Sequence, residues 1–233
     1  RDMPEEINRI VTDHLSTLLF TTEESANENL KHEGIDVNKC HFVGNCMVDS
    51  LMKHIELAVS RTPWKLYDLE PGKYSLLTLH RPGNVDDPNK LRHIIDIVNE
   101  VSSDIPVLFP IHPRTQKNFH KWGINISKSV IICDPLPYLA FLGLMSKSGF
   151  VLTDSGGIQE ETTSLGVPCL TMRENTERPA TVTNGTNRIV GTNSKKILDS
   201  IREIANGKWH SGKKPHLWDG EASFRIGKVI ENW

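Results

Sequence analysis

Ser155, Gly156 and Gly157 lie between the apolar run Phe150-Val151-Leu152 and a short helical stretch, and their types suit an anion. The run suits a buried parallel strand, and Ile158 and Leu165, seven residues apart, are expected to give the following helix an inward stripe. Ser155 is a favoured N-cap, and the two glycines let the backbone approach a ligand with no side chain intervening. Free N–H groups at a helix start, aligned with the helix dipole, attract phosphate. Glu160 and Glu161 follow one turn later. They would repel a bare phosphate but can accept hydrogen bonds from sugar hydroxyls, so a nucleotide fits better. The same residues also read as a tight turn before a capped helix, and this segment alone leaves both readings open. It is neither a Walker loop, since no Gly-Lys-Ser/Thr follows, nor the dinucleotide fingerprint, since the third glycine is missing.

The elements that must position these residues follow from the apolar pattern. Helices are expected at Pro4–Leu15, Glu23–His32, Val48–Val59, Pro88–Ser102, Leu139–Ser146, Ser194–Ile204 and Glu221–Trp233. Strands are expected at Leu18–Phe20, Cys40–Val43, Ser75–Leu79, Val107–Phe109, Val130–Cys133, Phe150–Leu152, around Thr171 and at Arg188–Val190. The stretch from His112 to Gly123 reads as a loop and a polar segment. Such alternation implies a parallel sheet covered on both faces, a doubly wound α/β domain. Ligands bind these sheets beyond the carboxyl ends of the strands. His80 with Arg81, His112 with Arg114, Asp134, and Ser155 to Gly157 each follow a strand, which favours the nucleotide reading.

The chain has 233 residues and a formal net charge of −2, with charges of both signs interspersed, so no global basic field recruits nucleic acid. No long apolar stretch or export signal is visible, so a soluble, cytoplasmic protein without membrane contact is expected. Cys40, Cys46, Cys133 and Cys169 form no Cys-x-x-Cys pair and read as reduced packing thiols. The histidines show no pair at ligand spacing, so no metal is expected. The start at Arg1 lacks an initiator and enters a helical pattern at once, as if a domain were cut in its middle.

Asp154-Ser-Gly-Gly-Ile-Gln-Glu-Glu161, with Arg173-Glu-Asn-Thr-Glu-Arg-Pro179 downstream and Thr78-Leu-His-Arg81 upstream, resembles the non-hydrolysing UDP-N-acetylglucosamine 2-epimerases. Met3-Pro-Glu-Glu-Ile-Asn-Arg9, Phe42-Val-Gly-Asn45 and Gly185-Thr-Asn-Arg-Ile-Val-Gly191 match in order. The resemblance implies a GT-B-like fold of two Rossmann-like domains. Residues 1–45 would end the N-terminal domain, 46–65 link, 66–218 form the UDP-binding domain, and 219–233 cross back. It implies epimerisation at C2 of the sugar by elimination of UDP through a 2-acetamidoglucal, with no cofactor, in a homodimer. By the same resemblance Ser155, Gly156 and Gly157 bind the diphosphate, Glu161 the ribose hydroxyls, and Leu136 and Phe141 line the uracil pocket. His80 takes part in catalysis and diphosphate contact, Arg178 meets the substrate, and Glu5 is a catalytic acid–base carboxylate. Read from sequence alone, Glu5 is favoured instead as a charge that complements a helix N-terminus. Gly83 and Ala180 stand where the family commonly has Glu, which bears on sugar contacts rather than on the UDP site. A GT-B glycosyltransferase and a non-catalytic UDP-sugar-binding module are the other readings.

Overall fold

Short continuous apolar runs alternate with stretches of helical period, and the computed structural model turns each pair into a strand followed by a helix. It describes residues 4–233, with side chains from residue 6 onward. The backbone of Glu5 lies in the first helix, but its side chain lies outside the described residues.

Two compact units result, Arg1–Met52 with Pro215–Trp233, and Lys53–Lys214. The first contains α1 (Pro4–Leu15), β1 (Leu19–Thr21), α2 (Glu24–His32) and β2 (Cys40–Phe42), and α3 (Cys46–Ser60) begins in it. β1 and β2 pair in parallel, with Leu19 opposite Cys40. Leu19, Leu30 and Ile35 form a small buried cluster beneath them. The Asp49 carboxylate accepts from the backbone N–H groups of Ala222 (3.0 Å) and Ser223 (2.6 Å), capping the helix Ala222–Glu231.

The second unit carries β3 (Ser75–Thr78), α4 (Pro82–Val85), α5 (Pro88–Val101), β4 (Val107–Pro110), α6 (Pro113–Trp122), β5 (Val130–Cys133) and α7 (Tyr138–Ser146). These are followed by β6 (Phe150–Thr153), α8 (Gly156–Leu165), β7 (Cys169–Thr171), α9 (Pro179–Thr183), β8 (Asn187–Ile189) and α10 (Ser194–Ala205), while Ala222–Glu231 is α11. Six parallel strands lie in the order β5-β4-β3-β6-β7-β8. Counted within the sheet this is 3-2-1-4-5-6, the doubly wound Rossmann order, with its switch point between β3 and β6. α5 buries Leu91, Ile94, Ile95 and Val98 against strand residues such as Leu77, Phe109 and Leu152. Among the described residues no helix is long and apolar enough to cross a membrane.

The structure corrects the sequence reading at α6 and at α8. Residues after His112 form the helix α6 rather than a loop. Pro113 opens it, His112 accepts from Arg114 N, and Gly123 closes it at φ 57°. Only Thr115 and Phe119 are buried in it, too few to produce a helical apolar period. The stripe expected of Ile158 and Leu165 is also absent, since neither is fully buried. α8 instead buries Gln159, Glu160, Glu161, Thr162, Thr163 and Ser164. Thr162 and Ser164 make this tolerable by donating back to the carbonyls of Ile158 (2.7 Å) and Glu160 (2.9 Å).

Candidate functional site

Asp154 follows β6 at the switch point and is 0% exposed. Its carboxylate accepts from the backbone N–H groups of His80 (3.1 Å) and Arg81 (2.9 Å) and from Asn84 Nδ2 (3.3 Å). His80 Nδ1 lies 3.0 Å from the same group. Asn84 Nδ2 also donates to the Met172 carbonyl at 2.9 Å, so one buried acid ties together the loops that leave β3, β6 and β7. With Nδ1–H directed at Asp154, His80 Nε2 is the ring nitrogen left for a ligand.

Ser155 opens α8, yet its hydroxyl makes no capping bond, and its N–H donates to Thr153 Oγ1 at 2.9 Å. The cap expected of its side chain is therefore not formed, and the first N–H groups of α8 keep their capacity for an anion. A Cβ placed on Gly156 would stand 4.0 Å from Arg81 Nη2 and 3.9 Å from Glu177 Oε2, so an arginine and a carboxylate flank this point. Arg81 Nε is buried without a hydrogen-bond partner. Arg173 grips Glu177 at two points, 2.9 and 2.6 Å. That bond, with the charges of Arg173 and Arg81, pushes the Glu177 carboxyl down to about 2 against the cost of burial.

Beside this point a cavity of about 270 Å³ is lined by His80, His112, Leu136, Phe141, Ser155 and Ile158, with Thr78, Leu79, Pro110 and Pro135 completing the wall. A mostly apolar slot with a few polar groups suits a flat ring. Glu161, on α8, is 8% exposed. Burial raises its carboxyl above the usual range, a hydrogen bond from the Tyr138 hydroxyl opposes the rise, and the charge of Glu160 adds to it. Arg178 Nε lies 3.1 Å from Glu160 Oε1, an ion pair in which the N–H is not aimed at the oxygen.

His80, Leu136, Phe141 and Ser155 thus share one cavity, Gly156, Gly157 and Glu161 lie on the helix at its edge, and Arg178 pairs with the residue before Glu161. Glu5 cannot be placed, its side chain being outside the described residues. Sequence reasoning assigned no role to Asp154 or Tyr138, and placed Arg81 only among the loop residues at the strand ends. An acid directly before Ser-Gly-Gly at a strand end was a visible signal for the first, whereas the partners of Arg81 and Tyr138 are far away in sequence.

A family model described as UDP-N-acetylglucosamine 2-epimerase matches residues 1–231. The UDP-N-acetylglucosamine 2-epimerase of Methanocaldococcus jannaschii is 39% identical over 239 residues, 99% of this chain and 65% of that protein. The UDP-2,3-diacetamido-2,3-dideoxy-D-glucuronate 2-epimerase of Pseudomonas aeruginosa is 39% identical over 231 residues, 98% of this chain and 63% of that protein. The crystal structure of the M. jannaschii UDP-GlcNAc 2-epimerase in complex with UDP-GlcNAc and UDP matches with a TM-score of 0.89 at 39% identity, covering 100% of this chain and 66% of that one. This chain spans a little under two thirds of the length of these relatives.

Proposed function

The chain belongs to the UDP-N-acetylglucosamine 2-epimerase family, and from that premise we propose that it is the nucleotide-binding part of an enzyme that converts UDP-N-acetylglucosamine reversibly to UDP-N-acetylmannosamine. The observation that carries the reading is the buried, unpartnered Arg81 Nε beside the uncapped start of α8, at the strand-order switch point. A surplus of donors there suits a diphosphate. In this reading the leucine and phenylalanine of the cavity, Leu136 and Phe141, hold the uracil, and Glu161 accepts from the ribose hydroxyls.

The C2 proton of the sugar is too weakly acidic for simple removal. The bond from C1 to the UDP oxygen breaks, C2 loses its proton, and a 2-acetamidoglucal forms. UDP then adds back to C1 while C2 regains a proton on the opposite face. The chain contributes stabilisation of the departing diphosphate, through α8, Arg81 and His80, and keeps it close for re-addition. Arg178 contacts the substrate, and Glu5 serves as an acid–base carboxylate. Residues 1–45 would end an N-terminal domain, 46–65 link it to the UDP-binding domain 66–218, and 219–233 cross back. A cytoplasmic homodimer is the assembly this reading includes.

The pseudomonal relative is as similar as the archaeal one and is named for a diacetamido glucuronate. Both named substrates are UDP sugars with an acetamido group at C2, so the class is UDP-2-acetamido sugars. The test is calorimetry with UDP on the full-length protein that carries this chain, followed by incubation with each UDP sugar in deuterium oxide. Deuterium entering C2 is expected. Binding without exchange would leave a UDP-sugar-binding module, and sugar transfer to an acceptor would identify a glycosyltransferase.

A further inference from the structure

The segment from Met172 to Arg178 belongs to no helix or strand, yet it delivers Arg173, Glu177 and Arg178 to the site. Its start is held by the sheet, since Met172 N donates to the Thr153 carbonyl at 2.8 Å. Its far end is held by side chains. Arg178 N donates to Thr176 Oγ1 (3.0 Å), and the Arg178 carbonyl accepts from Thr181 Oγ1 (2.7 Å). Both hydroxyls lead to the same buried pair of amides. Thr176 Oγ1 donates to Gln159 Oε1 at 2.6 Å, and Asn187 Nδ2 donates to Thr181 Oγ1 and to Gln159 Oε1, each at 3.0 Å. Asn187 Oδ1 accepts from Thr171 Oγ1 at 2.6 Å, which fixes the amide's orientation.

Gln159 closes the chain of bonds. It is 0% exposed, and its Nε2 donates to the Ser155 carbonyl at 3.1 Å, at the residue that opens α8. One buried amide therefore links the turn that opens α8, through Thr176, to the backbone of Arg178. A buried amide whose polar atoms are committed in this way holds one orientation, and its partners with it. The Glu160 ion pair constrains only the head of Arg178, whose side chain is 42% exposed.

We propose that Gln159 and Thr176 are positioning residues that set Arg178 against the start of α8, so that losing the hydrogen bond between them weakens UDP-sugar binding through Arg178. This rests on the reading of the site as one for a UDP sugar. The experiment is a double-mutant cycle in the full-length protein, using Thr176→Val, Thr176→Ser, Arg178→Ala and the double variant Thr176→Val with Arg178→Ala. Affinity for UDP-N-acetylglucosamine and for uridine is measured, with a melting curve for each protein.

Thr176→Val removes both bonds of the Thr176 hydroxyl, to Gln159 and from Arg178 N, and is expected to weaken UDP-N-acetylglucosamine binding about fivefold to thirtyfold, the loss for one to two neutral hydrogen bonds. Thr176→Ser, which keeps the hydroxyl, stays within about twofold of the unsubstituted protein, as both bonds are retained. In the Arg178→Ala background the valine adds no further loss, and uridine affinity is unchanged throughout. Should valine disturb melting, Thr176→Ala removes the hydroxyl without crowding and serves in the same cycle. Additive losses, an equal loss for uridine, a serine variant as weak as the valine one, or undiminished binding in Thr176→Val each overturn the proposal. Failure of the unsubstituted protein to bind any uridine nucleotide overturns the nucleotide reading and this inference together.

Discussion

Replacing Gly156 by alanine separates an anion site from a mere capped turn, because stability should rise in either case while UDP binding should fall only in the first. The glycine is not among the positive-φ residues, so alanine adopts its backbone conformation without strain. The new methyl would stand 3.9 Å from Glu177 Oε2 and 4.0 Å from Arg81 Nη2, ordinary contact distances. The unliganded protein should therefore gain about 0.4–1 kcal/mol from the reduced freedom of its unfolded chain. A gain of that size raises the melting temperature by at most roughly 2–4 °C. A phosphate oxygen bonded to Arg81 Nη2 at about 2.8 Å on its Gly156 side, by contrast, would stand too close to the methyl for van der Waals contact. Losing one charge-assisted hydrogen bond costs about 1.5–3 kcal/mol, or roughly tenfold to 150-fold in Kd. Calorimetry with UDP, paired with melting curves without ligand, reads both quantities. UDP binding within about twofold of the unsubstituted protein would refute the reasoning, since a lost hydrogen bond of this type costs more than that.

Further outcomes follow from the buried groups. Asp154→Ala leaves the backbone N–H groups of His80 and Arg81 without their acceptor, while the Asn84 amide keeps the Met172 carbonyl, and urea unfolding should show a loss of about 2–6 kcal/mol, about 1–3 for each stranded donor. A loss below about 1 kcal/mol would mean that water replaces the acid. At Gly143 a Cβ would lie 2.6 Å from the Ala58 carbonyl and 2.8 Å from Pro63 Cγ, so Gly143→Ala should cost about 1–3 kcal/mol by overpacking. Gly83→Ala, with nothing within 4 Å, should stay within about 0.5 kcal/mol of neutral. Glu161 titrates above its unfolded value because of burial, so the native state holds its proton longer, and this group's contribution to stability falls as pH rises through that window. In the proposed site its ionised form accepts from the ribose hydroxyls, and on that reading UDP affinity should fall as pH is lowered through the same window. Glu161→Gln should remove that dependence while leaving the titration of UDP itself in place, and a slope unchanged by the substitution would count against the ribose role.

The doubly wound architecture was legible in the sequence because it depends on local patterning. Val107 to Phe109 or Phe150 to Leu152 is apolar on both faces, as only a strand covered on two sides requires, and the intervening helices supply the crossovers. The carboxyl-end placement of His80, Ser155 and the glycines follows from that topology alone. α6 was not legible, because Thr115 and Phe119 give too faint an apolar stripe and its boundaries rest on Pro113 and Gly123. The inward face of α8 was misread for a related reason. Gln159, Thr162 and Ser164 are buried by what surrounds the helix, and their polar groups are satisfied by bonds that hydropathy does not register.

By itself, then, the order of residues determined the alternation of strand and helix, the parallel sheet, the glycine turn and the family to which the chain belongs. Periodicity and turn chemistry act over a few residues and survive in the one-dimensional record. Tertiary structure alone decided that Asp154 anchors His80 and Arg81, more than seventy residues distant, and that Gln159 reaches both Ser155 and Thr176. It alone left Arg81 Nε buried without a partner. Whether a polar atom is satisfied, and by which neighbour, depends on every element that closes around it, and no local pattern encodes that.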